Sequence, residues 1–574
     1  MKRHMLIAAL LLPSFCAFSQ NINPTVRVTN DYRGKIMEVH KGELPLSIAD
    51  SLLKFDWNFD YAVTDNPYRG AYDFTPYLID TTPEAEPLHQ GKLYVRAGAG
   101  YSFRPEASVV YTPFSSSKLG LSVYDDFGGF SGNYSDFSLS PGGEKLVRDG
   151  YSGGHLYRNR LGVSGRLSLG RPELLFDVGT DLLRSDSRIA GHSYNSFDAK
   201  GSLAVDFSKW NLLLDAGLRR GSDSPVTALA GDYDISETVL DLGFRIVREY
   251  ADSRYFEFHP SVKSDFFAYG TSDGEVSLIK FSALYKADFS RSHLRAGALL
   301  SVVAGSVDEG MVFLGSGSSK PSRGNWLYPD LYADFLLVPQ TLKVYASLSG
   351  GPRMDELKSV LDERPFISPV TNSVFFADVV SVPYDAEAGI TGRMGGGVQY
   401  KLDVGYRKVE NALFESIYAG SGGLYLSKLL RAGYNLLHFD AQMSLETERY
   451  EAKWDLTLQS SSFTPSVTAV ALPAVKSSAS FTYNWNKRIY GGISAAYMGR
   501  RVQSDALAAV AGMDCGYDTV IPGYPDLGLN AEYRYNRRLT FWLRSGNLLG
   551  QPVYQQILMA PRGPWVTVGL TFSL

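Results

Sequence analysis

Cysteine is nearly absent from this sequence: its 574 residues include only Cys16 and Cys515. Cys16 lies in an N-terminal segment with the features of a signal peptide, so Cys515 is the one thiol expected in the mature chain. A single thiol can form neither an intramolecular disulfide nor a cluster of thiolate metal ligands. The sequence therefore excludes a disulfide-stapled fold and a cysteine-based metal centre, and we predict no cofactor.

Long hydrophobic runs are also missing. The apolar run near the N-terminus, Met5–Leu12, is much shorter than the roughly 20 residues that a membrane-spanning helix requires. No later stretch is longer and equally apolar. The sequence therefore argues against a helical membrane protein.

The N-terminus has the three parts of a secretory signal peptide. Lys2 and Arg3 precede the short apolar run, and the small-residue sequence Ala17–Ser19 supplies a cleavage site. We predict a signal peptide at residues 1–19. The bulky Phe15 before the first cysteine does not fit a lipobox, so lipidation is not expected.

Clusters of charge of one sign are missing as well. Lys and Arg number 56 against 60 Asp and Glu, which gives a formal net charge of −4, and the chain contains no basic run. Binding to nucleic acid depends on concentrated positive charge, so we predict no nucleic-acid partner.

Motifs that carry chemistry are few. The mature chain has seven scattered histidines: His40, His89, His155, His192, His259, His293 and His438. Neither paired metal-ligand spacing nor an EF-hand pattern is present, and Gly315–Lys320 lacks the spacing of a phosphate-binding P-loop. His438 and Asp440 would lie roughly 7 Å apart along one strand, where solvated luminal residues are the simpler interpretation. We predict no catalytic, cofactor-binding or metal-ligating residue, and no enzyme activity.

What the chain has in abundance is alternation of apolar and polar residues. The last strand places Val566, Val568, Leu570, Phe572 and Leu574 on one face and small or polar residues on the other. The same period of two recurs over residues 92–103, 240–246, 398–407, 437–446, 453–459 and 480–485. Charged residues at the alternate positions cannot face lipid, so they must face an aqueous lumen.

This pattern predicts an all-β transmembrane antiparallel β-barrel in the outer membrane, with lipid covering the apolar face. Matching to period two gives about 22 strands, within a range of about 16 to 22. The 36 Tyr, 31 Phe and 56 Gly fit aromatic girdles and tight strand packing. A soluble sandwich or propeller is the alternative, but the signal peptide and the absence of blade repeats disfavour it.

Residues 20–90 differ from the remainder because prolines punctuate them, and we predict a proline-rich N-terminal arm or a small luminal insert there. Residues 91–574 are predicted to form the barrel. Short periplasmic turns are expected at Ser208–Lys209, Asn486–Lys487 and Asn536–Arg537. Long extracellular loops are expected around residues 128–155, 306–325, 351–383 and 501–523, with a short helix near Asp355–Asp362.

The predicted lumen is mixed in sign. Basic residues Arg245, Arg393, Lys401, Arg407 and Lys453 alternate with acidic residues Asp215, Asp241, Asp403, Asp440 and Asp455. Such a lining either hydrates a channel or forms ion-pair networks that close it. A ring of about 22 strands encloses a wide lumen that something must fill. The candidates are the arm at residues 20–90, the loop at residues 351–383 or a partner protein.

The C-terminal region resembles the closing strands of TonB-dependent receptors in Asn547–Leu549, Tyr554 and the final segment Pro564–Phe572. The resemblance implies a barrel of 22 strands. It also implies a globular plug of well over a hundred residues ahead of the barrel, by the usual size of that domain, and residues 20–90 are too few for it. The chain is therefore similar to a plug-lacking receptor of this type.

This resemblance implies transport of a solute or ligand across the outer membrane. The alternative is a non-transporting barrel subunit of a larger assembly for biogenesis, secretion or surface display. The expected partners are outer-membrane lipid, the barrel-assembly machinery acting through the C-terminal strand, and a protein partner that would seal or use the lumen. A barrel hydrolase is disfavoured because the sequence contains no recognisable catalytic constellation.

Overall fold

The computed structural model describes residues 92–139, 146–188, 190–227, 234–251, 253–339, 341–367, 374–375, 377–419, 425–464, 470–503, 519–554, 558–561 and 563–574. The signal peptide at residues 1–19 and the arm at residues 20–90 lie outside the described residues, and both stay predictions. Among the described residues, no helix has the length and hydropathy needed to cross a bilayer.

The described chain is almost entirely β-structure. Its strands are β1 (Leu93–Tyr101), β2 (Glu106–Ser115), β3 (Leu119–Leu139), β4 (Leu146–Ser168), β5 (Pro172–Asp186), β6 (Ala190–Phe207), β7 (Trp210–Asp223), β8 (Val226–Thr227), β9 (Ile235–Ala251), β10 (Arg254–Tyr269), β11 (Ser272–Asp288), β12 (Ser292–Val307), β13 (Val312–Phe313), β14 (Leu327–Val338), β15 (Leu342–Met354), β16 (Val374–Phe375), β17 (Val379–Met394), β18 (Val398–Ala419), β19 (Tyr425–Glu446), β20 (Tyr450–Thr464), β21 (Val475–Trp485), β22 (Ile489–Met498), β23 (Arg501–Gln503), β24 (Thr519–Ile521), β25 (Tyr524–Arg534), β26 (Leu539–Gly546), β27 (Ala560–Pro561) and β28 (Trp565–Ser573). One α-helix, α1 (Leu357–Glu363), and a single 3₁₀ turn (Gly395–Gly397) interrupt them.

Twenty-two of these strands form one closed antiparallel ring, and the short strands β8, β13, β16, β23, β24 and β27 are not members of it. Each ring strand pairs with the next ring strand in the chain. The ring closes where β28 pairs with β1, with Phe572 opposite Val95. The predicted fold class and the strand number of about 22 are confirmed.

The two faces of the wall are those that the alternation predicts. On β18, the side chain of Val404 faces outward and is 51% exposed, whereas its neighbour Asp403 faces the lumen and is 5% exposed. The outward residues pair with one another across strands, as Leu456 does with Ala441. The outside of the ring is therefore an apolar band suited to lipid, and the inside is polar.

The two ends of the ring differ in the length of their connections. At the end that contains both termini of the barrel, strands are joined by turns of two to four residues, such as 208–209, 486–488 and 535–538. Asn486 and Lys487 both have positive φ (53° and 58°), the geometry of a tight hairpin turn. Exposed aromatic residues, including Trp210, Trp485 and Tyr535, flank these turns and form the aromatic girdle of the periplasmic edge.

The opposite end carries the long connections, and three of the four predicted extracellular loops are confirmed there. Residues 308–326 connect β12 to β14, residues 355–378 connect β15 to β17, and residues 499–523 connect β22 to β25. The predicted helix is also confirmed, as α1.

The prediction of a loop at residues 128–155 is wrong. These residues belong mainly to β3 and β4, which contain 21 and 23 residues and pair through Ser131 and His155. About 9–11 residues suffice to cross a bilayer, so this hairpin extends beyond the membrane as a paired ribbon. Its Gly, Ser and Tyr composition imitates a loop, but strand pairing with the neighbouring chain segment overrides that local preference.

A charge on the lipid face tests the facing assignment. Leu456→Arg should impair folding into membranes, because a cation at the middle of the lipid face costs about 2–4 kcal/mol. Ser478→Arg is the matched control: Ser478 lies on the adjacent strand, faces the lumen opposite Asp455 and is exposed there. The measurement is the folded fraction recovered in lipid vesicles, and equal recovery of the two variants would contradict the assignment.

The seam between the first and last strands gives a second prediction. Leu574 and Leu93 exchange two backbone hydrogen bonds, of 2.8 and 3.3 Å, at its end. Deleting residues 572–574 removes the outermost pairings with β1 and β26, so backbone groups are left without partners in lipid. We expect the truncated protein to be absent from the outer-membrane fraction, whereas Phe572→Leu, which keeps the backbone pairing, should be present. Normal insertion of the truncation would show that these residues do not close the ring.

Candidate functional site in the barrel lumen

The connection from β15 to β17 turns into the lumen, and we call residues 355–367 the inserted segment. Helix α1 starts there because the Ser359 hydroxyl accepts a hydrogen bond from the Glu356 backbone N–H at 3.0 Å. It ends before Pro365, which cannot continue a helix. Leu357, Val360 and Leu361 share one face of the helix and are buried. This face packs with apolar side chains that line the extracellular part of the lumen.

One side of the inserted segment is held to the wall strands β18 and β19, close to its own origin. Asp355 forms an ion pair of 3.1 Å with Arg431 of β19, and the Arg431 side chain is almost fully buried. Arg431 also donates a 2.7 Å hydrogen bond to the backbone carbonyl of Asn411. Arg364 forms a 3.0 Å ion pair with Glu415 of β18. These contacts hold the inserted segment to β18 and β19.

The other side of the segment is held by strands on the far wall. The backbone carbonyl oxygens of Asp362, Pro365 and Ile367 face β4, β5 and β6. They contact Arg158 (2.6 Å), Ser185 (2.5 Å) and His192 (2.8 Å) of the wall. Strand β4 is the fourth of the ring and β17 the fourteenth of 22, so these partners lie nearly opposite the origin of the segment. The inserted segment therefore crosses the lumen.

His192 is the most buried of these anchors. Its Nδ1 lies 2.8 Å from the Asp223 carboxylate, while its Nε2 lies 2.8 Å from the Ile367 carbonyl oxygen. Each ring nitrogen therefore has one hydrogen-bond partner, and the two contacts together fix the orientation of the ring. The Asp223 carboxylate also accepts a bond from the Ser193 backbone N–H at 2.9 Å. This arrangement fixes the end of the inserted segment to β6 and β7.

A charged network joins α1 to the far wall. Arg219 of β7 contacts Asp198 at 2.6 Å and also pairs with Glu356. Lys263 of β10 pairs with the other oxygen of Glu356, and Lys358 of α1 pairs with Asp181 of β5. The charged groups lie in a partly buried environment, where each depends on its partner.

The same network contains two buried carboxylates on the wall. Glu237 accepts a 2.7 Å hydrogen bond from the Leu357 backbone N–H at the start of the helix. Asp265 of β10 lies beside Glu237 and is fully buried. Asp362, in contrast, is on the helix, and its side chain is 45% exposed. Its partial burial raises the pKa of its carboxyl, while the positive charges of Arg158 and Lys358 act in the opposite direction. The helix is thus held on this side by acidic and basic groups together.

Other extracellular connections pack onto the end of the inserted segment. Phe366 makes an edge-to-face contact with Tyr134 of β3 at 5.2 Å between ring centroids. The same apolar cluster includes Ile417, Val470, Ile521, Tyr554 and Met559, which come from the ends of wall strands and from the long connections. Burial raises the pKa of Tyr554 and lowers the pKa of Arg501, whose guanidinium donates to the Tyr554 backbone carbonyl. The described extracellular end of the lumen is therefore a packed apolar layer.

Beyond this layer the lumen is polar. A cavity of about 630 Å³ borders Glu356 and is lined by acidic residues, such as Asp215 and Asp241, together with Lys200 and Lys280. On other strands the predicted luminal charges form ion pairs, including Lys401 with Asp403 at 2.9 Å and Arg407 with Asp385. The prediction of a lumen of mixed sign is confirmed.

The structure modifies the prediction for His438 and Asp440. They are not separate solvated residues: His438 Nδ1 lies 2.7 Å from the Asp440 carboxylate, and His438 is 6% exposed. The ring can approach the wall because its partner on β18 is Gly405, which has no side chain. Gly315–Lys320 folds into an exposed turn in which the Ser316 hydroxyl donates a hydrogen bond to the Lys320 carbonyl.

Sequence reasoning predicted the helix and named the loop at residues 351–383 as a candidate to fill the lumen, which the contacts above confirm. It did not single out the anchors Arg158, Ser185, His192, Arg219 and Arg431. Their inward facing follows from the strand period, and that signal was available. Their pairing with the inserted segment could not be predicted from the sequence, because it depends on which strands lie opposite each other in the closed ring.

A closed antiparallel ring with an apolar outer band, short turns at one end and long loops at the other defines an outer-membrane β-barrel. The protein is therefore an integral protein of the outer membrane.

Comparison with known structures shows the same fold. The chain is similar to the closed form of the ferric-catecholate import receptor Fiu from E. coli K12 (TM-score 0.60, 11% identity, 84% of this chain and 82% of that one). It is similar to the FrpB iron transporter of Neisseria meningitidis (TM-score 0.62, 11% identity, 84% and 81%) and to the copper transporter OprC (TM-score 0.60, 11% identity, 84% and 81%). No family model and no curated protein sequence matches the chain. The likeness confirms the predicted β-barrel fold.

Removing a cation from the charged network tests how firmly the inserted segment is held. Arg219→Met leaves the carboxylates of Asp198 and Glu356 without their shared partner, so we expect a loss of about 3–5 kcal/mol in the free energy of unfolding. Arg220→Met is the control, because Arg220 faces outward opposite Phe197 and is exposed; it should change stability by less than about 0.5 kcal/mol. The measurement is urea-induced unfolding in detergent. An equal loss of unfolding free energy in both variants would contradict the role of Arg219 as the shared partner of Asp198 and Glu356.

Proposed function

We propose that this barrel transports a solute or ligand across the outer membrane, with the inserted segment as the constriction that controls passage. The observation that carries the proposal is the attachment of residues 355–367 to opposite walls of the ring. A segment in this position lies across any path through the extracellular part of the lumen. Its anchors are ion pairs and hydrogen bonds, which can be exchanged for contacts with a ligand or with water.

The polar lining supports this proposal. Acidic and basic side chains alternate along the wall beyond the apolar layer, and the cavity bordering Glu356 is lined by both signs. A barrel that served only as a scaffold would have no need of a hydrated interior beside its constriction. Mixed charges favour passage of a polar solute and do not select strongly for one sign of charge.

We further propose that the chain belongs with plug-lacking, TonB-dependent-receptor-like barrels. Residues 20–90 number too few for the usual plug domain, whereas the inserted segment supplies material inside the lumen from the wall itself. The similar structures are named as import receptors and transporters of iron or copper, which favours transport over a purely structural role. Folding would require the barrel-assembly machinery, recognised through β28, and the lipid that covers the outer face.

The test is conductance in planar lipid bilayers. The protein is compared with a variant in which residues 357–363 are replaced by a Gly-Ser linker of equal length, so that α1 and its contacts are lost. The control variant carries the same kind of replacement at residues 316–320, an exposed extracellular turn. We expect large, steady conductance only from the variant that lacks α1, and rare or small openings from the other two proteins.

Two results would count against the proposal. Silence from all three proteins would overturn the transport function and favour a barrel that works as a subunit of an assembly. Equal, large conductance from all three would retain transport but overturn the role of the inserted segment as its constriction.

A further inference from the structure

A second luminal feature lies on β17, β18 and β19, apart from the inserted segment. It consists of Asp385, Glu387, Asp403, His438 and Asp440, which we call the acid–histidine cluster. Strand register brings these residues together: Glu387 is opposite Gly405, Gly405 is opposite His438, and Asp403 is opposite Asp440. Directly paired residues lie on the same face of a sheet, so all five side chains face the lumen.

The histidine of this cluster has one nitrogen engaged and one free. Nδ1 is held by Asp440 at 2.7 Å, and Asp440 is itself bonded by the Thr457 hydroxyl. Nε2 is buried and has no hydrogen-bond partner among the described residues. A buried polar nitrogen without a partner is costly, and it indicates a ligand that would complete its bonding.

Gly405 explains how Nε2 is aimed. A side-chain carbon at this position would overlap the His438 ring and would touch Glu387. The glycine therefore leaves the space in which the ring edge faces the carboxylates of β17. The potential ligand atoms of His438, Asp385 and Glu387 lie within 4.8 Å of one another.

This donor set matches the preference of first-row divalent cations. Zinc binds imidazole nitrogen and carboxylate oxygen at about 2.0–2.2 Å, which separates neighbouring ligand atoms by roughly 3.3 Å in a tetrahedral site. A modest contraction of the cluster would reach that spacing. The Asp440–His438 pair has the arrangement in which a carboxylate fixes the orientation and tautomer of a metal-binding imidazole.

The charges of the cluster favour a cation as well. Lys401 pairs with Asp403, and Arg407 pairs with Asp385 but reaches Glu387 only at 3.7 Å. Four carboxylates are thus matched by two basic side chains, which leaves an excess of negative charge. The side chains of Glu387 and Arg407 are partly exposed to the lumen, so an ion has a route of entry.

We propose that His438 Nε2, Glu387 and Asp385 bind a divalent transition-metal cation from the lumen, with Asp440 as the positioning residue. Arg407 competes with the metal for Asp385 and must move aside when it binds. The inference concerns equilibrium binding alone, so it stands or fails independently of the proposed transport.

The experiment is titration calorimetry of the purified full-length protein in detergent with Zn²⁺. We expect one Zn²⁺ per chain, at least 100-fold weaker binding for His438→Gln, and about 10- to 100-fold weaker binding for Asp440→Asn. Arg407→Gln should bind more tightly, because it removes the competing cation. His259→Gln is the matched control: the His259 ring also faces the lumen and lies against a glycine of the neighbouring strand, Gly243. It lies beside Arg245 and Lys280, however, so its loss should leave Zn²⁺ binding unchanged.

A direct measurement on the unsubstituted protein removes dependence on how well the variants fold. X-ray absorption of the Zn²⁺-loaded protein should show one imidazole ligand with oxygen ligands. Absence of imidazole scattering, unchanged affinity in His438→Gln, or no binding below 1 mM Zn²⁺ would each overturn the proposal. The cluster would then be an ion-pair network of the wall.

Discussion

The structure depends on one constraint: backbone N–H and C=O groups in hydrocarbon can bond only to a neighbouring strand. A ring of strands meets this constraint when its last strand pairs with its first, as β28 does with β1. Closure then dictates the remaining features. Side chains must alternate between lipid and lumen, the connections must lie outside the bilayer, and the charged residues at the depth of the hydrocarbon must face the lumen.

Closure also creates the interior that the chain has to fill. The protein does so by two different means at two levels of the lumen. Near the extracellular end, the inserted segment and several connections pack an apolar layer against the wall, with ion pairs on both sides of α1. Farther along the wall, charged side chains pair with one another and leave hydrated space. The apolar layer at the extracellular end resembles the core of a soluble domain. The charged wall beyond it resembles a protein surface, except that it faces the lumen.

The sequence predicted those parts of the structure that depend on local period. The facing of Val404 and Asp403, the tight turn at Asn486 and the helix near Asp355 all follow from residues close in the chain. The hairpin formed by β3 and β4 was missed because its small and polar residues imitate a loop, and only pairing reveals the strands. The contact between Arg158 and the Asp362 carbonyl joins residues 204 positions apart, so no local pattern contains it. The burial of His438 likewise depends on a glycine in another strand.

Three far-side anchors of the inserted segment reach its backbone oxygen atoms, and for these contacts the wall contributes the side chains Arg158, Ser185 and His192. Every residue type offers a carbonyl oxygen, so these three contacts depend on the identity of the wall residues and not on the side chains of the segment. Substitution at Asp362 or Ile367 can therefore retain these three hydrogen bonds. The wall residues are constrained, as are Glu356 and Lys358 in the charged network. A barrel organised in this way can change some of the side chains that the inserted segment presents to the lumen, while the wall keeps the segment in the same position.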